Sequence, residues 1–273
     1  MVVMLLLAVA FAAFANGEKE KGAIGSSGAL KDGSYFATYT TADNHGWQPF
    51  MRIEVAGGKI ASVAYNYVSP DGKMFKTQDN QYNTTMLKFA GTNPEKAYPE
   101  LEKRIISAQS GKIDAVTGAT HSSETAMELA SDLVSRAGTG NTADLVLPMT
   151  GMYTAEDKPD EHGGWIGHLE VTFGDQGKVT KVVYDEVKKE NNKIVAYKSK
   201  DMEYEKNFKA KSGISQGEAY TRLSAELTAT AKLNTVDAVT GATGTSERFN
   251  ALVENIKMQR TGVAPSAIKA MLK

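Results

Sequence analysis

Two threonine hydroxyls carry the chemistry most directly legible in this chain. Thr120 and Thr243 each close a copy of the same heptapeptide, Asp-Ala-Val-Thr-Gly-Ala-Thr, which begins at Asp114 and again at Asp237. A seven-residue identity at matching places in two halves of a chain marks a duplicated unit. Each copy offers a second hydroxyl (Thr117; Thr240), a carboxylate (Asp114; Asp237), a glycine that lets backbone approach closely (Gly118; Gly241) and a small neighbour (Ala119; Ala242). Hydroxyls at the start of a helix stand beside unpaired backbone N–H groups and the positive end of the helix dipole, a combination that binds anions and phosphate above all. The plainer alternative is a helix N-cap, which Thr supplies routinely. Capping alone leaves the aspartate and alanine positions free to vary, so the duplication favours a ligand.

The elements that must position these residues also come in pairs. After the first heptamer Ala126, Leu129, Ala130, Leu133 and Val134 keep helical spacing, and after the second Phe249, Leu252, Val253 and Ile256 do the same. Each heptamer is therefore expected to open an amphipathic helix. Upstream, Met51, Ile53 and Val55 alternate with polar residues before a Gly57-Gly58 turn, and Val63, Tyr65 and Tyr67 share one face of the return strand. Leu169, Val171 and Phe173, a turn from Gly174 to Gly177, then Val182 and Tyr184 repeat that hairpin with a turn one residue longer. Between hairpin and heptamer, Lys76, Asp79, Tyr82, Ala97 and Tyr98 correspond at constant offset to Lys198, Asp201, Tyr204, Ala219 and Tyr220. The expected fold class is α+β, with two duplicated domains, each a twisted antiparallel sheet packed with helices.

We place the domains at 31–138 and 148–261, joined by a Gly/Asn/Thr segment, with a tail at 262–273 that is free to dock or to fray. Residues 1–15 form an apolar run ending in Ala13-Phe14-Ala15, the pattern of a secretory signal, and 16–32 have the composition of a flexible tether. The run is short for a membrane span, which takes roughly 20 apolar residues. The expected location is the periplasmic or extracellular face of the membrane, with a lipid anchor in the natural form left open as an alternative. With no cysteine in the sequence, a thiol-linked lipid anchor, a disulfide and thiolate metal ligation are all excluded for the chain as written. Lys plus Arg (31) nearly balance Asp plus Glu (32), and a net charge of −1 gives no reason to expect a nucleic-acid partner.

Asp-x-x-Thr-Gly-Ala-Thr resembles the flavinylation motif of FMN-binding domains. That family includes flavin-carrying subunits of the sodium-pumping NADH:quinone reductase and of the related Rnf complex, together with extracellular flavoproteins. The resemblance covers nearly the whole chain beyond residue 32. It extends to an opening Gly-x-Tyr in each half (Gly33 to Tyr35; Gly151 to Tyr153) and to hydroxyl residues after the motif, Ser122 and Thr245. The Lys-x-x-Asp-x-x-Tyr element resembles the tandem extracellular flavoproteins more than the pump subunits, whose glutamate-threonine-glycine segment is not visible here. The resemblance implies two covalent FMN groups, esterified through phosphate to Thr120 and Thr243 by an ApbE-type flavin transferase that uses FAD and a divalent metal. It further implies an electron carrier with no catalytic residues of its own, which takes electrons from a membrane redox donor and passes them to a periplasmic or extracellular electron acceptor; the alternatives are a noncovalent phosphate- or anion-ligand binding module and a subunit of a membrane redox complex.

Within that picture Gly118 and Gly241 clear space for the phosphate, and Asp114 and Asp237 orient the threonine hydroxyl or help the transferase deprotonate it, the alternative for each being a turn-forming aspartate. Thr117 and Thr240 either cap the helix or bond the phosphate. Trp47 and Trp165, the only tryptophans, occupy matching places and are candidates to stack on the flavin ring, with core packing as the alternative. Tyr65 and Tyr184 read as core. No pair among His45, His121, His162 and His168 has a metal-ligand spacing with a third partner. Lys76 and Asp79, with their equivalents Lys198 and Asp201, read by default as exposed charge pairs, the alternatives being a family-specific structural clamp or cofactor contacts.

Overall fold

The computed structural model describes residues 29–161 and 163–272. The expected export signal, residues 16–28 of the tether, and His162 lie outside the described residues.

The first half opens with β1 (Gly33–Tyr39), β2 (Gln48–Ala56) and β3 (Lys59–Val68), followed by α1 (Asn80–Ala90), α2 (Pro94–Ala108) and α3 (Thr120–Thr139). A three-residue strand, β4 (Leu145–Leu147), comes next. The second half holds β5 (Gly151–Glu156), β6 (Ile166–Phe173), β7 (Val179–Glu190), β8 (Lys193–Tyr197), α4 (Met202–Ser212), α5 (Gln216–Thr230), α6 (Thr243–Gln259) and α7 (Pro265–Met271). Two four-stranded sheets result, ordered β3-β2-β1-β4 and β5-β6-β7-β8. The fold is α+β, two antiparallel-rich sheets each packed with helices. The hairpin repeat extends to its irregularities, for the register shifts at Glu54/Val55 in β2 and at Thr172/Phe173 in β6.

Strand alternation sends Tyr35, Met51, Ile53 and Tyr65 inward against Leu101, Leu129 and Leu133, all essentially buried. Tyr153, Leu169, Val171 and Tyr184 do the same against Leu223, Phe249 and Val253. Tyr65 and Tyr184 are core residues, as their strand face indicated.

The halves part company at their margins. The segment between the two expected domains supplies β4, which pairs parallel to β1 (Ala37 with Leu145) and extends the first sheet. The second sheet gains its fourth strand from a hairpin extension, turned through Asn191 (φ 49°) and Asn192 (φ 62°), left-handed positions that Asn tolerates. The tail docks. The α7 residue Ile268 is fully buried against Phe36, Phe50 and Val68, on the face of the first sheet away from its own helices. Gln48 fastens the approach to α7, donating to the Val263 carbonyl at 3.1 Å and accepting the Val263 N–H at 2.6 Å. The corresponding face of the second sheet carries an ionic cluster, in which Glu156 bonds His168 and Lys189.

Candidate functional site

In both copies the heptamer folds into a tight turn and then a helix. Ala119 N–H donates to the Val116 carbonyl at 2.9 Å, and Ala242 N–H to the Val239 carbonyl at 2.9 Å. Gly118 (φ 80°) and Gly241 (φ 84°) take the left-handed third position of that turn. A Cβ on Gly118 would stand 2.2 Å from the Ala90 carbonyl oxygen, and one on Gly241 would stand 2.3 Å from that of Ser212. Each glycine thus lets the turn sit directly on the last residue of α1 or α4, so both the dihedral and the contact require it.

Ser123 and Ser246 clamp the turn from inside the helix. Each hydroxyl donates to the carbonyl that opens its own helix, Ala119 or Ala242, at 2.9 Å, and accepts the N–H of Val116 or Val239 at 3.0 Å. Both serines are buried. The sequence points instead to the neighbouring hydroxyls Ser122 and Thr245. The signal that finds the clamp is the serine three residues after the threonine that closes each heptamer, present in both halves.

Thr120 and Thr243 are the first residues of α3 and α6 and are exposed. The cap positions before them belong to Ala119 and Ala242, which offer no side-chain hydrogen bond, so the capping alternative does not hold. The first-turn N–H groups point out of an open helix end beside the threonine hydroxyl, a donor set that fits a phosphoester on that oxygen. Thr117 and Thr240 are exposed and cap neither helix.

Asp114 and Asp237 are also exposed, and no hydrogen bond links either carboxylate to its threonine. Their backbones are tethered differently. Arg104 donates to the Asp114 and Ala115 carbonyls at 2.9 and 3.1 Å, whereas the equivalent Glu226 accepts the Asp237 N–H at 3.1 Å. Opposite charges in the two halves thus hold the same loop by its two kinds of backbone group.

The Lys-x-x-Asp-x-x-Tyr element is a structural clamp built on a buried lysine, the alternative to the exposed-pair default. Lys76 is 4% exposed, and its ammonium lies 4.4 Å from the Tyr82 ring centre, 4.7 Å from Tyr67 and 5.8 Å from Trp47. Burial pulls its pKa down to about 8 against the opposing pull of Asp43 and Asp79. Asp79 caps α1 through the Tyr82 N–H at 2.9 Å, and Asp201 caps α4 through the Tyr204 N–H at 3.0 Å. Trp47 is 8% exposed and packs in the core, while Trp165 is half-buried with the Lys188 ammonium 4.7 Å from its ring centre.

The equivalent Lys198 keeps two of the three rings, Tyr204 at 4.7 Å and Trp165 at 5.9 Å, and adds ionic partners. Lys198 donates to Glu186 at 2.7 Å, and Arg248 bridges Glu186 at 3.0 Å and Asp157 at 2.7 Å. Asp157, Glu186 and Arg248 stand where the first half has Tyr39, Tyr67 and Thr125. Three neutral residues have been exchanged together for three charged ones, which keeps each buried layer internally paired.

Two cavities adjoin the first heptamer. A groove of about 1140 Å³ runs between α2 and α3 and reaches Asp114, and a cleft of about 390 Å³ lies against His121 and Thr125 at the seam of the halves. Among the described residues no group of three His, Asp or Glu side chains is placed to hold a metal ion.

Comparison with known proteins bears on these sites. The FMN-binding domain family profile matches residues 163–257. A 15 kDa lipoprotein of Treponema pallidum is 34% identical over 122 residues, spanning 44% of this chain and 86% of that protein. Among solved structures, a Clostridium perfringens protein is 36% identical over 44% of this chain and 98% of its own, with a TM-score of 0.43. A Clostridium thermocellum protein is 23% identical over 40% of this chain and 92% of its own, with a TM-score of 0.29. On the family profile and the Treponema relative, the chain belongs to the FMN-binding domain family.

Proposed function

We propose that the protein is an exported electron carrier holding two FMN groups as phosphoesters, one on Thr120 and one on Thr243. The observation that carries this reading is the pair of exposed threonine hydroxyls at uncapped helix ends within identical heptamers of an FMN-binding family member. In attachment by a flavin transferase, the threonine Oγ bonds to the FMN phosphorus of FAD and gives its proton to a base of the transferase. The pyrophosphate P–O bond breaks, and AMP leaves with the electron pair. The open first-turn N–H groups and helix dipole then hold the ester's negative charge. Gly118, Gly241, Ser123 and Ser246 fix the turn that presents the hydroxyl, and the exposed Asp114 and Asp237 carboxylates are free to meet the transferase. The flavin supplies the redox chemistry, while the chain supplies attachment, orientation and local polarity.

Export is supported by the apolar pattern of residues 1–15 and by the lipoprotein character of the Treponema relative. The donor is expected in the membrane and the acceptor outside it. No described helix is long and apolar enough to cross a membrane.

The test is intact mass after co-expression in an exported form with an active flavin transferase. Wild type is expected to gain two FMN masses, Thr120→Val and Thr243→Val one each, and the double variant none. An unmodified wild type beside a fully modified control substrate would remove the covalent reading.

A further inference from the structure

The cleft at the seam offers more than its position. Its volume of about 390 Å³ falls within the ~300–1,000 Å³ typical of small-molecule sites. The first half contributes Asp43, Asn44, His121 and Thr125 to its wall, and the second half contributes Asp175 and Gln176 from the β6–β7 turn. His121 directly follows Thr120, so the cleft begins one residue from the attachment hydroxyl.

Asp43 is the informative group. It is 5% exposed, and its Oδ1 accepts the N–H groups of His45 and Trp47 at 2.9 Å each. Its Oδ2 is buried with no hydrogen-bond partner. Lys76 gives the carboxylate a counter-charge but no hydrogen bond, and a buried carboxylate oxygen without a donor is costly, which points to a donor supplied by a ligand. Beside it, Asn44 commits one amide hydrogen to the Met152 carbonyl at 3.1 Å and retains a second. On the far wall Gln176 holds a left-handed φ of 63°, unusual for a side chain that size, in the turn that is one residue longer than its counterpart. The counterpart, Gly57-Gly58, lies against Ala29 instead. The larger groove between α2 and α3 meets the heptamer only at Asp114, and none of its lining side chains carries a buried polar atom without a partner.

Resting on Thr120 as a point of flavin attachment, we propose that this cleft seats the isoalloxazine ring carried by Thr120, Asp43 accepting the ring's imide N–H and the Asp175-Gln176 turn closing over it. The chemistry fits, because the ring's pyrimidine edge presents one N–H donor between two carbonyl acceptors, matching a free carboxylate oxygen beside a free amide hydrogen. The first flavin site is then built by both halves. The duplication is functionally unequal, since the first half offers no such turn to the second site.

The experiment uses the full chain in a Thr243→Val background, so that only Thr120 carries FMN. Deleting Gln176 shortens the turn to its first-half length, and Asp43→Asn replaces the free oxygen by a donor. Both variants are expected to keep the single FMN mass. Deletion of Gln176 is expected to raise iodide quenching of flavin fluorescence severalfold. Asp43→Asn is expected to lose most of the visible circular dichroism of the bound ring and to shift its midpoint potential, while far-ultraviolet circular dichroism remains that of the parent. FMN mass with quenching, visible dichroism and potential all unchanged would overturn the cleft assignment alone. A parent without FMN mass would overturn the attachment reading and this proposal with it.

Discussion

At the scale of single residues, Lys76 shows how far a side chain can depart from what its type suggests. A lysine three positions before an aspartate reads as a solvated pair, yet the aspartate is occupied with capping α1 and the ammonium sits against three aromatic rings. The cost of that burial is visible in its pKa, lowered from 10.5 to about 8. Between those two values the unfolded lysine keeps a proton that the folded one has released, so stability attributable to Lys76 rises with pH across that window. Urea unfolding of wild type and Lys76→Met from pH 7 to pH 10.5 is expected to show wild type gaining on the variant by roughly 3 kcal/mol. A constant difference would mean that the lysine is solvated in the folded protein. The same reasoning explains why Trp47 is ambiguous in the sequence. Its matched position marks it as part of the repeat, but only packing tells a ring that lines a ligand from one that roofs a buried ammonium.

At the scale of elements, the junction of turn and helix is the most legible part of the chain. The apolar spacing after each heptamer suffices to place α3 and α6, because a helix start is local chemistry written in consecutive residues. What the sequence does not disclose are partners brought in from elsewhere. The contact between Gly118 and the end of α1 depends on how α1 packs, and the serine clamp is plain only once the helix is known to begin at the threonine. Gly118→Ala is expected to cost at least about 2 kcal/mol, because a strained dihedral is compounded by a clash with backbone that has nowhere to go. Gly164→Ala, also left-handed at φ 69° but with nothing within 4 Å, is expected to cost only about 1 kcal/mol. Urea midpoints of the two variants separate the contributions of contact and dihedral. Equal losses would show that the contact with Ala90 contributes nothing.

At the scale of the whole molecule, duplication explains the two sheets, and divergence explains how they differ. The outer face of the first sheet is apolar, with Phe36, Phe50 and Val68, and α7 covers it. The equivalent face of the second sheet needs no cover, because His168 stands where Phe50 would be and Glu156 where Thr38 would be. The 262–273 segment gives no clue to this because its apolar spacing fits many surfaces, and its partner lies 215 residues away as measured from Gln48 to Val263. Ile268→Ala is expected to destabilise the protein by about 2–5 kcal/mol, the range for truncating a fully buried aliphatic side chain. Denaturant unfolding followed by Trp47 fluorescence, in a Trp165→Phe background, reports on the half that α7 covers. An unchanged midpoint would mean that α7 does not cover the first sheet in solution.

The covering of the first sheet by α7 also sets an order of events during synthesis. Chains are made from the N-terminus, and early domains ordinarily close before later ones emerge. Here the earlier half cannot shield Phe36, Phe50 and Val68 until residues 265–271 have emerged from the ribosome or the export channel, whereas the later half waits for nothing made after it. The half made first is therefore the half finished last, and throughout that interval its bare aromatic face is the surface a chaperone would hold.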